Sequence, residues 1–327
     1  MHAQQELTLQ QIVELFPTRP FHFDATMHKP DHFPTADTAW KPGIRWQTMR
    51  WQGQVVGLKF ENTGTLEKPV ITLSIWAQNA FGAVELHGLL DEIIYRYNMR
   101  LDLTEFLHRV RDDALLGPIV ARWQGMRPMT SYALYEYLVI SIVLQNTVIR
   151  RSINMMQTLF ESYGTLVYFD DQALYGFWAP ERIEQISEQE LRDLKLGYRA
   201  KSMKRVSTPF ARHEVNEFAL RACSKDEQRQ ALLSLYGIGP ASVWYLLFDV
   251  FHHLDELNHI SPWEQKIYSK IFYEAEPHEP VPVETLLTFF EDRFGPYKML
   301  AVHYVWEDLF WRRTQEEIPW LEALIRR

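Results

Sequence analysis

The chain has 327 residues, enough for two or three packed units, and its 46% hydrophobic and 14% aromatic content supplies a core and excludes disordered and fibrous chains. Against 42 Asp and Glu stand 34 Lys and Arg, a formal charge of −8, so any nucleic-acid site has to be a local basic patch rather than the whole surface. The single cysteine, Cys223, excludes a disulfide framework, a Cys-rich zinc module and a four-thiolate iron–sulfur cluster within one chain, and fits a reducing cytoplasm.

The first fifteen residues carry Gln and Glu where an export signal needs a basic end and an apolar run, so no export is expected. Segment 22–41 holds prolines and several polar residues, which predicts an irregular stretch laid over a sheet. Stretches 44–51, 54–60 and 70–76 are rich in β-branched and aromatic residues. Gly53 and Asn62-Thr63-Gly64 separate them, which predicts three antiparallel strands.

From about residue 86 the apolar spacing becomes helical, at 84–97, 104–110, 132–148, 153–163, 188–194, 227–235, 241–251, 283–294 and 297–310. The uncharged run 137–149 is shorter than the ~20 residues of a membrane span, which predicts a helix buried in protein. The fold class is therefore α+β. A small N-terminal antiparallel sheet domain at 1–86 precedes a mostly α-helical body at 87–327.

The most informative stretch runs Leu232-Leu233-Ser234-Leu235-Tyr236-Gly237-Ile238-Gly239-Pro240-Ala241-Ser242-Val243-Trp244. A helix that stops at Gly237 and restarts with Pro240 in its first turn is a helix-hairpin-helix. Its glycines let the backbone of Tyr236, Gly237, Ile238 and Gly239 approach a phosphate closely. The next helix, from Ala241 and Ser242, presents free N–H groups and a positive dipole end to that charge. A plain corner between two helices is the structural alternative.

Farther on, Ser261-Pro262-Trp263-Glu264 reads as a capping box, with Ser261 the cap and Glu264 the third helical residue. Glu264 is either only that cap or a carboxylate facing the sugar of an extruded nucleotide. Between 195 and 213 lie Lys195, Arg199, Lys201, Lys204, Arg205 and Arg212 with no carboxylate, a basic patch of the kind DNA requires or else a solvated helix face. Trp40, Trp123, Tyr135, Tyr198, Trp244 and Trp306 are candidates to stack on a flipped base, most of them equally suited to the core. His28 with His32, and His252-His253 with His259, lack the setting of a metal site.

The order hairpin, carboxylate helix, aromatic C-terminal helix resembles the helix-hairpin-helix DNA glycosylase superfamily and, within it, the AlkA-type 3-methyladenine glycosylases. Further matches are Leu134-Tyr135-Glu136-Tyr137-Leu138-Val139 leading to Leu144-Gln145-Asn146, then Tyr163-Gly164, the segment LRDLKLGYRAKSM at 191–203, and Phe294-Gly295-Pro296-Tyr297-Lys298 followed by Ala301-Val302-His303-Tyr304-Val305-Trp306. The resemblance covers about 90–312 well and the first 86 residues loosely.

It implies two helical subdomains, about 130–245 and 87–129 plus 246–327, with the cleft between them. It implies a catalytic carboxylate at Glu264, where the family carries aspartate, and DNA contacts from Tyr236, Gly237, Ile238, Gly239, Ala241, Ser242, Arg199 and Lys201. A base pocket would draw on Gln145, Asn146, Trp244 and Tyr135. Ala241 stands where bifunctional relatives have a Schiff-base lysine, which implies base release without strand cleavage. A monovalent or similar ion is implied on the Tyr236 and Gly239 carbonyls, with no organic cofactor.

The expectation is a monomeric, cytoplasmic, monofunctional glycosylase acting on double-stranded DNA with a modified base and not on membranes. Its alternatives are a catalytically silent DNA-binding relative, a glycosylase for a bulky or hypermodified base such as phage DNA carries, and a protein-binding adaptor.

Overall fold

The computed structural model describes residues 4–30 and 33–324; His32 lies outside them. Strands β1 (Gln4–Glu6) and β2 (Thr8–Leu15) lead into a short helix α1 (Phe23–Met27), then β3 (Thr38–Lys41), β4 (Ile44–Trp51), β5 (Gln54–Asn62) and β6 (Ile71–Ala77). The sheet is five-stranded in the order β2-β6-β5-β4-β3, with every pairing antiparallel. The three strands expected from sequence are its centre, and the segment expected to be irregular supplies α1 and β3. Gln52 (φ 46°) and Gly53 (φ 81°) make the tight turn between β4 and β5, the positive-φ pair that the right-handed strand twist favours.

The body comprises α2 (Ala83–Arg96), α3 (Thr104–Val110), α4 (Leu116–Arg122), α5 (Leu134–Leu144) and α6 (Ile149–Tyr163). A β-hairpin of β7 (Thr165–Phe169) and β8 (Gln172–Gly176) follows, between the helical stretches expected at 153–163 and 188–194. Its turn, Asp170-Asp171, has φ of 47° and 58°, and β1 pairs with β7 in parallel. The hairpin packs on the N-terminal sheet. A side chain at Gly57 would start only 2.6 Å from the Phe169 ring, so a glycine in β5 is what admits Phe169.

Then come α7 (Pro180–Gln185), α8 (Glu188–Leu191), α9 (Arg199–Ala211), α10 (Glu217–Arg221), α11 (Lys225–Ser234), α12 (Pro240–Asp249), α13 (Pro262–Tyr273), α14 (Val283–Phe294), α15 (Lys298–Arg313) and α16 (Pro319–Leu324).

One apolar core gathers α5, α6, α9, α11 and one side of α12 through Leu138, Ile142, Leu159, Met203, Leu232 and Leu247. A second gathers the other side of α12 with α3, α4 and α13 to α15 through Trp244, Phe248, Phe106, Tyr268, Phe290 and Tyr304. Helix α12 thus lies between two cores. The sheet has a third core, shared with α2 through Leu89, Ile93 and Tyr97. Helix α5 is buried in protein as expected. Among the described residues no helix is long and apolar enough to cross a membrane.

A buried ionic network ties α2, α5 and α10. Arg96 Nε bonds Glu92 at 2.7 Å, Arg221 bonds Glu92 at 2.5 Å and also holds Glu217, and Glu217 accepts the Leu134 N–H at 2.6 Å. Burial raises the Glu92 carboxyl, but Arg221 and Arg96 more than offset it and hold the group below the usual range.

Asp37, 2% exposed, shows the opposite balance. Burial pushes its carboxyl up to about 6 against hydrogen bonds from Thr35 and Tyr132 and the nearby Arg45. A folded-state value above the unfolded one means stability is present below the ordinary carboxyl pKa and lost as pH rises through about 6. Asp37→Asn keeps an acceptor for both hydroxyls. It is expected to gain about 2–3 kcal/mol on wild type between pH 4 and pH 8, read as a melting-temperature difference that widens with pH; a constant difference would contradict the assignment.

Candidate active site and nucleic-acid interface

Helix α11 ends at Ser234, the chain turns at Gly237 (φ 78°), and α12 restarts with Gly239 as cap and Pro240 in its first turn. The expected hairpin is present. Gly237 takes the conformation only glycine adopts freely. Gly239 does not: its φ is −111°, and a side chain there would meet no protein atom within 4 Å. The backbone at Gly239 and Ala241 therefore faces open space, with the positive end of α12 behind it.

Tyr236, 39% exposed, lies beside two cations, with Arg205 at 4.4 Å and Lys201 at 5.8 Å from its ring centre. Lys201 and Arg205, with exposed Lys195, form no ion pair among the described residues. The other patch members are corrected by the structure. Arg199 is 3% exposed and donates to the Gln145 carbonyl, so it braces a turn and does not face solvent. Lys204 donates to the Glu184 and Ile186 carbonyls, and Arg212 pairs with Glu184 at 3.3 Å.

The turn after α5 meets the hairpin: Gln145 Nε2 donates to the Gly237 carbonyl at 3.4 Å, and Asn146 Nδ2 to the Tyr198 hydroxyl at 3.3 Å. Asn146 has φ 47° and is exposed, as is Tyr198. Immediately beyond, Val148, Ile149, Arg150 and Arg151 are all exposed, and neither arginine has an ion pair among the described residues. They extend the basic surface from the hairpin onto the start of α6. The signal was two adjacent arginines after a polar turn.

Of the other residues expected in a base pocket, Trp244 is 2% exposed in the second core, and Tyr135 is buried in the first with its hydroxyl on Ser207 at 2.9 Å. Both are core residues. Trp40 stacks on His28 at 4.0 Å, and both lie edge-on to Trp311, which also packs on Trp123 at 5.3 Å. Trp306 stacks on Trp263 at 5.1 Å.

Glu264 closes the predicted capping box. Its Oε2 accepts the Ser261 N–H at 2.9 Å, and Ser261 Oγ accepts the Glu264 N–H at 3.3 Å. The residue is 3% exposed, and its other oxygen, Oε1, accepts from the Tyr245 hydroxyl at 2.5 Å. Tyr268 faces the same carboxylate, its own hydroxyl held by Trp306 Nε1 at 2.9 Å. Sequence reasoning passed over Tyr245. On α12 it follows buried Trp244 and is 37% exposed. The surrounding protein first, and Glu264 second, push its phenol well above the ordinary range, so the shared proton rests on Tyr245.

The described residues hold no cluster of three His, Cys, Asp or Glu able to bind a metal. Of the two carbonyls expected to hold an ion, that of Gly239 accepts the Ser242 N–H at 2.9 Å and the Val243 N–H at 3.2 Å inside α12.

No protein-family model and no curated protein matches the chain. Solved structures do. The chain is similar to the 3-methyladenine DNA-glycosylase from Archaeoglobus fulgidus (TM-score 0.72, 14% identity, covering 91% of this chain and 99% of that one). It is similar to MBOgg1, solved in complex with a low-affinity DNA ligand (TM-score 0.67, 18%, 95% and 99%). It is also similar to the Clostridium acetobutylicum 8-oxoguanine glycosylase/lyase (TM-score 0.65, 16%, 94% and 99%). The shared architecture is that of the helix-hairpin-helix DNA glycosylases, the fold expected from the motifs.

Proposed function

We propose that this chain, which has the helix-hairpin-helix DNA glycosylase fold, releases a modified base from double-stranded DNA by hydrolysing its N-glycosidic bond. One observation carries the reading. A single helix, α12, leaves its N-terminal backbone open at Gly239 and Ala241 and, farther along, sets Tyr245 against the buried Glu264 carboxylate. A backbone grip and a negative charge shielded from water are thus rigidly coupled.

In this reading the hairpin, Lys195, Lys201 and Arg205, with Arg150 and Arg151 on α6, neutralise the sugar–phosphate backbone. Gln145 and Asn146, with exposed Val148 and Ile149, suit the gap left when a nucleotide is extruded. Glu264 supplies negative charge that stabilises the sugar as it becomes oxocarbenium-like. Ala241 offers no amine at the hairpin, so the enzyme leaves the strand intact. The reading needs neither an organic cofactor nor a second copy of the chain.

Duplexes bearing alkylated, oxidised or bulky glycosylated bases are incubated with the protein and resolved with and without alkali. Strand breaks that require alkali support a monofunctional glycosylase; breaks without alkali indicate a lyase step, and none in any duplex contradicts the reading. Lys201→Glu with Arg205→Glu is expected to reduce the slope of log affinity against log salt by about 2. An unchanged slope would place that face away from DNA.

A second reading, DNA binding without catalysis, is favoured by the near-complete burial of Glu264 and the engagement of both its oxygens. DNA affinity with no base released from any duplex is its signature.

A further inference from the structure

Resting on the glycosylase reading, we infer that Tyr245 is the catalytic residue that meets the sugar, with Glu264 acting through it as proton acceptor. A carboxylate 3% exposed, with Oε2 on the Ser261 N–H and Oε1 on a phenol, has no oxygen turned toward an incoming sugar. Tyr245 is the exposed member of the pair, its hydroxyl 2.5 Å from Oε1. Its ring stacks on Trp244, centroids 3.4 Å apart, and Trp244 is locked in the core, which fixes the phenol's direction. Behind the carboxylate, Trp306 and Tyr268 hold the far side. Helix α12 carries this phenol and the phosphate grip together, so a nucleotide held by its phosphate at the hairpin has its sugar directed along the same helix.

The chemistry balances without another reactant. As the bond from C1′ to the base nitrogen breaks, its electron pair leaves with the base and positive charge develops on C1′ and the ring oxygen. The Tyr245 proton shifts to Glu264 Oε1, so a phenolate faces the cation. Water adds to C1′ through its oxygen and gives its proton to the departing base, while Glu264 Oε1 returns its proton to the Tyr245 phenolate. The raised phenol keeps the proton on Tyr245 at rest, so phenolate forms only when a cation is present to stabilise it. Sialidases also set a tyrosine against the sugar in place of a carboxylate, there as a nucleophile.

The test is a double-mutant cycle with a probe that requires no knowledge of the excised base: duplexes with a positively charged pyrrolidine or a neutral tetrahydrofuran abasic-site analogue. Wild type is expected to bind the cationic duplex at least about 10²-fold more tightly. Tyr245→Phe removes most of that preference, and Glu264→Gln made in the Tyr245→Phe background removes no more, because both act in one chain. Melting curves verify that each variant is folded.

A cation preference that survives Tyr245→Phe but falls with Glu264→Gln would overturn the inference alone, since the carboxylate would then act directly. Wild type indifferent to the charge and releasing no base would overturn the glycosylase reading itself, and the inference with it.

Discussion

Glu264→Gln is expected to reduce base release by about 10²–10⁴-fold while leaving DNA affinity unchanged or higher. The fold should survive, because the amide oxygen can still accept the Ser261 N–H and the amide nitrogen can donate to the Tyr245 hydroxyl, which turns to accept. What disappears is the negative charge, whose value exists only while the sugar is cationic. Glu264→Asp makes a second, sharper comparison. The glutamate spans from the cap at Ser261 to Tyr245 with its two oxygens, and a side chain one methylene shorter cannot reach both. The aspartate variant should therefore be slower than wild type by about 10²-fold. Equal rates for all three would reduce Glu264 to a helix cap.

Arg221→Ala should be the most damaging single change to stability outside the cores. The guanidinium bonds Glu92 and Glu217 and lies 3.9 Å above the Tyr95 ring. Its removal leaves two shielded carboxylates short of charge, a loss of about 3–5 kcal/mol. Adding Glu217→Gln should return part of that loss, since Arg96 still holds Glu92 whereas Glu217 has no other ion pair among the described residues. Denaturant unfolding of the two variants reads this directly, and a double variant no more stable than Arg221→Ala would show that the loss comes from packing instead.

What could be read from the chain was whatever is written locally. The hairpin at Gly237, the Ser261 cap with Glu264 three residues on, and strands β4 to β6 are encoded by residues a few positions apart. Strand β2 was missed because it is an edge strand open to solvent, so Leu9 and Ile12 are exposed and no in–out alternation marks it. The β7–β8 hairpin did carry its signal, β-branched and aromatic residues around Asp170-Asp171, but it interrupts a long helical pattern. At the site, basic residue counting could not separate Arg199, turned inward to brace the Gln145 carbonyl, from Lys201 beside Tyr236. The assignment of Trp244 to a pocket failed on helix phase: Val243, Trp244 and Leu247 line the buried sides of α12 and Tyr245 the open one. That phase was present in the sequence. The contact between Tyr245 and Glu264 was not, because it depends on how α12 and α13 pack.

The most direct test of the account is chemical: incubate the wild-type protein and Glu264→Gln with DNAs containing methylated, oxidised or bulky glycosylated bases, and identify free bases in the soluble fraction by mass spectrometry. A free modified base is expected from at least one DNA, matched one-for-one by abasic sites in intact strands and nearly absent with Glu264→Gln. Tight binding to these DNAs with no free base from any of them would contradict it.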